Sequence, residues 1–234
     1  MARIALGLEY DGSAYFGWQR QSHAPSVQGE FERALSVVAD HPIRLTAAGR
    51  TDAGVHALMQ VAHFDTTSLR PEQAWVLGGS AAAADDLSVL WAREVPGDFH
   101  ARFSALSRTY RYRILNRRIR PALERHRSCW IRRPVDAAAM HEAAQCLVGE
   151  HDFSAVRSAD CQSSTPVRRI TAVAVRRNGA RVEIEVSANA FLHHMVRNIA
   201  GTLLAVGVGD RPVAWVAEVL AGLDRTVAGA TAVV

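Results

Sequence analysis

The sequence contains no lysine, so all 27 of its basic residues are arginines. Against 23 acidic residues they give a net charge of +4, which is too small to identify a polyanionic partner by itself. Guanidinium groups bind phosphate through paired hydrogen bonds and stack on bases, which suits RNA binding. A genome that encodes arginine in place of lysine gives the same composition, and composition alone favours this second explanation.

The sequence is also poor in cysteine and in long apolar runs. Cys129, Cys146 and Cys161 are odd in number and have no CxxC spacing, which indicates neither a disulfide framework nor a zinc knuckle. We interpret them as reduced thiols. No segment approaches the ~18 apolar residues of a membrane span, and the first residues do not resemble a signal peptide. We therefore expect a soluble cytoplasmic protein.

The first half of the chain has the pattern of a split βαβ unit. Ser26 is a typical cap for the amphipathic helix that follows it. The predicted order is strand, helix, two strands, helix and strand, at residues 3–10, 27–39, 42–49, 59–66, 71–84 and 87–95.

The second half repeats the order strand, helix, hairpin, helix. Asn178-Gly179 is a hairpin signal between two alternating segments. The predicted elements are a strand at 107–116, a helix at 135–149, strands at 169–177 and 180–188, and a helix from Ala190. We predict an α+β fold of two split βαβ-like halves with a mainly antiparallel sheet and helices on one face. The domains are residues 1–106, an α/β domain with the candidate carboxylate, and 107–234, a second α/β domain.

The segment "AAGRTDAGVHA", residues 47–57, places Asp52 in a short connection between two predicted strands. A "TDAG" sequence alone is typical of a polar turn. Arg50 favours a functional interpretation, because residues i and i+2 of an extended segment project to the same side and can form an ion pair. A nearby cation stabilises the ionised carboxylate, the form that a nucleophile or base requires.

The predicted helix "AFLHHMVRNIAGTLLAVG" has an apolar side and a second stripe of His193, His194, Arg197 and Gly201. Gly201 permits the close approach of another backbone or of a nucleic acid. An ordinary exposed or interface stripe explains the pattern equally well. Adjacent histidines on a helix point about 100° apart, so we predict no metal site there.

The strand "SRTYRYRILN" places Tyr110 and Tyr112 on one face and Arg111 and Arg113 on the other. Strand tyrosines more often pack in a core than stack on bases. Arginines are nevertheless concentrated in the second half, in "RILNRRIRPALERHRSCWIRR" and nearby segments. Interleaved arginine and aromatic residues are typical of a surface that follows phosphates and stacks bases.

Five segments, in order over nearly the whole chain, resemble the TruA-type tRNA pseudouridine synthases. The resemblance implies a two-domain fold whose halves join into one broad antiparallel sheet with a central cleft, and a homodimer that binds tRNA across both subunits. It implies conversion of uridine to pseudouridine at positions 38 to 40 of the anticodon arm, without a cofactor or a metal. The segments are "ALGLEYDGSAYFGWQRQ", "AGRTDAGVHA", "DFHARFSALSRTYRYRILN", "GEHDFSAV" and "ANAFLHHMVRNIAGTLLAVG".

By this resemblance, Asp52 matches the catalytic aspartate, Arg50 its ion-pair partner, Tyr110 the tyrosine beside the target base, and Arg197 the basic residue that faces the aspartate. Asp52 would attack the ribose C1′ or act as a base at C2′, and both routes stay open.

Two segments depart from the family pattern. The family continues past "RTVAGATA" into a last strand, and we expect the second domain to lack it. "GGSAAAADD" stands where the family has an Asn-rich segment ending in Leu-Pro.

Two other functions fit part of the sequence. A catalytically silent tRNA-binding protein on the same fold would retain RNA but not isomerise it. A carboxylate hydrolase of small glycosides would use Asp52, but such enzymes usually need a second acid, and none is evident beside it.

Overall fold

The computed structural model describes residues 1–233, and its chain divides into two compact units, Met1–Ala105 and the residues from Leu106 onward. Each unit has its own sheet and its own hydrophobic core. No helix among the described residues is both long enough and apolar enough to cross a membrane.

The first unit is a four-stranded antiparallel sheet in the order β2-β3-β1-β4. Leu6 and Leu8 of the central strand β1 are fully buried and share a core with Phe31 and Leu35 of α1. The Ser26 hydroxyl accepts a hydrogen bond from the Gly29 N–H and so caps α1, as predicted. The elements are β1 (Ala2–Tyr10), α1 (Val27–Ala39), β2 (Thr46–Ala47), β3 (Ala57–Thr66), a π-helical turn (Ala74–Gly78) that continues into α2 (Gly79–Ala82), and β4 (Leu87–Val95).

The second unit is a five-stranded sheet in the order β6-β5-β9-β8-β7, in which only β5 and β6 pair in parallel. Ile184 of the central strand β9 is buried with Met140 of α3 and Leu203 of α4. The elements are β5 (Arg108–Asn116), β6 (Cys129–Ile131), α3 (Ala137–Ala144), β7 (Gly149–Asp152), β8 (Val167–Asn178), β9 (Arg181–Ala188), α4 (Met195–Gly207) and α5 (Trp215–Gly222). No strand follows β9 within residues 1–233.

The α+β class and the antiparallel pairing are confirmed, although the strands form two sheets where the resemblance implied one. The strand predicted at 42–49 is reduced to Thr46–Ala47. The N–H groups that precede Thr46 bond to side chains of α1 and are therefore not available for pairing with a strand. Ile43 donates to the Ser36 hydroxyl, and Leu45 donates to the Glu32 carboxylate. Strands β6 and β7 and helix α5 were not predicted.

The helix expected from Ala190 begins five residues later, at Met195. His194 stands directly before it with a φ of 60°, in the left-handed region, which is incompatible with a continuous right-handed helix. His193 and His194 therefore lie in a turn, where their ring centroids are 3.9 Å apart. Of the four residues predicted to share a helical stripe, only Arg197 and Gly201 lie on the helix.

Candidate active site

Asp52 lies in the connection between β2 and β3, where the chain makes a turn. The Val55 N–H donates to the Asp52 carbonyl at 3.2 Å, and Gly54 adopts a φ of 79° to complete the turn. The Asp52 side chain is partly exposed. The Asp52 carboxylate therefore lies on a short, hydrogen-bonded turn and not on a helix or a strand.

A second loop, residues 11–18, braces this turn. The Trp18 N–H donates to the Thr51 carbonyl at 3.0 Å, and the Gly54 N–H donates to the Tyr15 carbonyl at 3.3 Å. The Tyr10 and Thr51 hydroxyls are also hydrogen bonded, at 2.9 Å. These bonds fall on both sides of Asp52, so its backbone is fixed from both directions.

Two glycines allow the two loops to touch. Gly17 has a φ of 92°, and a Cβ there would lie 2.7 Å from the Thr51 carbonyl oxygen. A Cβ on Gly12 would lie 2.1 Å from the Val55 carbonyl oxygen. Any side chain at either position would push the Asp52 turn away from its support.

The expected ion pair between Arg50 and Asp52 is wrong for this structure. Within the described residues, no salt bridge or hydrogen bond joins the two side chains, and the Arg50 side chain is exposed. The pairing was expected for a regular extended segment, but the chain bends at Ala48 and Gly49 and forms no strand through Arg50 and Asp52.

Tyr110 and Tyr112 follow each other on one face of β5 but have different surroundings. The Tyr110 ring meets Phe191 edge-on, with centroids 4.9 Å apart. The Tyr112 hydroxyl donates to the Val233 carbonyl at 2.6 Å, and burial raises its pKa. Tyr110 is thus the tyrosine whose ring is set by an aromatic neighbour, and Tyr112 is a packing residue.

Arg197, in the first turn of α4, contacts the segment that follows the last short helical turn of the chain. Its Nε donates to the Ala232 carbonyl at 2.9 Å, and the Ala232 N–H donates to the Arg197 carbonyl at 3.1 Å. Gly201, one turn further along α4, faces the same segment: a Cβ there would lie 1.8 Å from the Ala230 carbonyl oxygen. The backbone that Gly201 was expected to admit is therefore the chain's own.

Asn198 anchors this segment from the interior. It is 1% exposed, and its Nδ2 donates to the Val156 carbonyl at 2.8 Å. Its Oδ1 accepts from the Thr231 hydroxyl at 2.7 Å and from the Arg225 guanidinium at 3.0 Å. Because buried polar groups are costly when unpaired, this amide, bonded through both its nitrogen and its oxygen, fixes residues 225–231 against α4.

Comparison with known proteins gives a consistent answer. The family model for tRNA pseudouridine synthases matches residues 8–104 and 143–233. The protein named tRNA pseudouridine synthase A from Methylococcus capsulatus is 57% identical over 230 residues, which cover 98% of this chain and 85% of its own. Proteins of the same name from Xylella fastidiosa strain M23 and Cronobacter sakazakii are 55% and 53% identical, over 99% of this chain and 91% and 86% of theirs.

The chain belongs to the tRNA pseudouridine synthase family. Its reaction class is therefore that of an isomerase, and the resemblance drawn from the five sequence segments is confirmed. Both matched ranges include residues of the candidate site, Asp52 in the first and Arg197 in the second.

Several contacts in the candidate site of this pseudouridine synthase could not be predicted from its sequence. The two glycines that admit the Asp52 turn, the Phe191 contact of Tyr110 and the Asn198 anchor were not predicted. The sequence did contain an indication of the Asn198 anchor, because Asn198 is a polar residue on the apolar side of a helix, between Val196 and Ile199.

Proposed function

We propose that this chain converts uridine to pseudouridine in the anticodon arm of tRNA, at positions 38 to 40, with Asp52 as the essential carboxylate. Substrate and product are isomers. The N1–C1′ bond breaks, a C5–C1′ bond forms, the proton on C5 leaves and N1 gains one. Atoms and electrons balance without any co-reactant.

The braced turn at Asp52 is the observation that carries this proposal. A nucleophile or base must be held within a fraction of an ångström of its productive position, and hydrogen bonds on both sides of Asp52 supply that rigidity. Two routes use the ionised carboxylate, namely attack on C1′ and proton abstraction at C2′. Partial exposure keeps Asp52 accessible to a nucleotide.

The other site residues have complementary roles in the proposal. Tyr110, supported by Phe191, packs beside the target base after that base has left the helical stack, a step that costs a few kcal/mol. Arg197 supplies positive charge where negative charge develops on the departing uracil. Arg50, which has an exposed guanidinium, binds a substrate phosphate rather than the aspartate.

The family resemblance supports three further parts of the proposal. These are a homodimer that binds tRNA across both subunits, a cytoplasmic location where tRNA is present, and a division into domains 1–106 and 107–234. The two compact units of the chain support the division, with Asp52 in the first and Tyr110 and Arg197 in the second. Analytical ultracentrifugation of the purified chain tests the dimer.

The position of the product tests the function most fully. Unmodified tRNA transcript is incubated with the chain, treated with carbodiimide and copied by reverse transcriptase, which stops at pseudouridine. We expect the stops to report pseudouridine at positions 38 to 40. Stops elsewhere in the tRNA would contradict the anticodon-arm assignment, and tight binding without any stop would indicate the catalytically silent RNA-binding protein.

A further inference from the structure

Residues 117–133, which we call the basic segment, connect β5 to β6 and continue past β6. They contain seven arginines and a single carboxylate, Glu124. Their charge is more positive than the net +4 of the whole chain. The arginines of this protein are therefore concentrated in this segment.

Several of these arginines have no acidic partner. The side chains of Arg118, Arg120 and Arg132 are exposed, and no carboxylate within residues 1–233 pairs with them. Arg117 and Arg125 are also exposed, and each donates to a backbone carbonyl, of Ile119 and Ala122 respectively. A bond to a backbone carbonyl does not neutralise the charge of the guanidinium.

The arginines on the neighbouring sheet behave differently. Arg111 binds Glu185 at 2.7 Å and Arg113 binds Glu183 at 3.1 Å, across the β5–β9 pair. On that face of the sheet, each of these two arginines on β5 is neutralised by a glutamate on β9. The contrast identifies the basic segment, and not this face of the sheet, as a surface of the second unit with cations available to an outside anion.

The basic segment is held in one shape. Glu124 forms a salt bridge with Arg181 at the start of β9, at 2.5 Å. Its carbonyl accepts bonds from the Arg127 N–H and the Ser128 hydroxyl, both at 3.0 Å. The Trp130 indole donates to the Arg117 carbonyl at 2.9 Å. The one carboxylate thus serves as an anchor, and a segment ordered before binding loses less entropy on binding.

We propose that the basic segment binds the phosphate backbone of tRNA at a distance from the reacting nucleotide. This proposal rests on the proposed function for the identity of the RNA. Phosphate contacts by arginine fix position and supply affinity without reading sequence. Arg118 follows β5 in the chain, and Arg132 follows Ile131, which pairs with Asn116 at the end of β5. Asn116 is six residues after Tyr110, which is about 20 Å along a strand at about 3.4 Å per residue.

Because of this distance, the length of an RNA determines whether it contacts the basic segment. Base pairs of an A-form RNA helix advance less per step than the about 3.4 Å of B-form DNA, so more than about six pairs are needed to cover 20 Å. With its helix axis along β5, a hairpin of about four pairs that carries the target uridine ends before the basic segment, whereas a complete tRNA continues past it.

The test compares two triple variants. R118Q/R120Q/R132Q removes the three unpaired charges, and R70Q/R93Q/R211Q removes three exposed arginines elsewhere as a control with the same net charge. Filter binding is measured over a range of salt concentrations with complete tRNA and with the short hairpin. Circular dichroism verifies that each variant is folded.

We expect the first variant to bind complete tRNA at least about tenfold more weakly, with a salt slope lower by about three, one for each lost phosphate contact. Its affinity for the hairpin and its kcat at saturating tRNA should stay within about twofold of wild type. The control should keep wild-type affinity for both RNAs.

Unchanged binding of complete tRNA by the first variant, or an equal loss for the hairpin, would overturn the proposal. Loss of binding to anionic phospholipid vesicles with retained tRNA binding would also overturn it, in favour of a membrane surface. A wild-type chain that binds tRNA through these arginines but forms no pseudouridine would refute the proposed function and leave the phosphate site intact.

Discussion

Arg197 and Ala232 are joined by two hydrogen bonds in opposite directions, from Arg197 Nε to the Ala232 carbonyl at 2.9 Å and from the Ala232 N–H to the Arg197 carbonyl at 3.1 Å. With its Nε held, the plane of the Arg197 guanidinium is fixed by a segment 35 residues away in sequence. The orientation of this candidate catalytic cation therefore depends on whatever holds that segment.

The Thr231→Val substitution should impair Arg197 without unfolding the protein. It removes the hydroxyl that donates to Asn198, at a cost of about 1 kcal/mol in the free energy of unfolding. A displacement of Arg197 by a fraction of an ångström should lower kcat about tenfold or more, while KM for tRNA changes little. Tritium release from tRNA labelled at uridine C5 measures both constants.

Thr231→Ser is the matched control, because it keeps the hydroxyl and should keep wild-type kcat. In an Arg197→Lys background, Thr231→Val should cause little further loss, since both substitutions affect the same group. Fully additive losses would mean that Thr231 contributes to stability alone.

The Gly17→Ala substitution should destabilise the turn that carries Asp52. Alanine at a φ of 92° is strained, and its Cβ would lie 2.7 Å from the Thr51 carbonyl oxygen. We expect a loss of about 2 to 3 kcal/mol in the free energy of unfolding, measured by urea denaturation, together with reduced kcat in the folded fraction. Gly97→Ala, where a Cβ has no atom within 4 Å, should change stability by no more than about 0.5 kcal/mol. Similar values for the two variants would contradict the close approach.

The Phe191→Ala substitution tests the support of Tyr110. Without the edge-on contact, the Tyr110 ring gains rotational freedom and is less often in position beside the target base. We expect kcat to fall about tenfold, with the affinity for tRNA within about twofold of wild type. Phe191→Tyr keeps the ring contact and should restore kcat. A fall in affinity with unchanged kcat would assign Phe191 to binding instead.

His63 should make stability depend on pH. Burial lowers its pKa below the ordinary 6.5, assisted by the nearby Arg3 and His100 and opposed by Asp65. The unfolded chain therefore takes up this proton at a higher pH than the folded one does. The stabilisation is complete above pH 6.5 and is lost as pH falls from 6.5 through the lower pKa of the folded state.

Urea denaturation between pH 8 and pH 5 measures this dependence. His63→Gln should flatten the decline, because a glutamine has no proton to gain. His23→Gln, at an exposed histidine, should keep the wild-type decline. An unchanged decline in His63→Gln would show that another group is responsible.

The elements that sequence predicted well are those whose pattern is local. The alternation of Ile4, Leu6 and Leu8 determines β1 from neighbouring residues alone. The short strand β2 was overestimated because Ile43 and Leu45 donate to side chains of α1, which a local pattern does not reveal. The start of α4 depends on the positive φ of His194, which histidine adopts only rarely.

In the candidate site, too, sequence predicted the features formed by neighbouring residues and not those formed by residues far apart in the chain. Asp52 was found because a carboxylate, an arginine and two glycines are close in sequence. Its support by Gly12 and Gly17, and the anchoring of residues 225–231 by Asn198, depend on contacts between residues more than 25 apart, which are formed only by the fold. Sequence therefore predicted the candidate carboxylate and missed the contacts that hold the candidate site residues in place.

The most direct measurement compares Asp52→Asn with Asp85→Asn, an equivalent change at an exposed aspartate, by tritium release from C5-labelled tRNA with enzyme in excess. Since asparagine can act neither as nucleophile nor as base, the Asp52 variant should bind tRNA normally and release tritium at least about a thousandfold more slowly than wild type. The Asp85 variant should match wild type. Release at the wild-type rate by Asp52→Asn would contradict the central claim that this carboxylate performs the isomerisation.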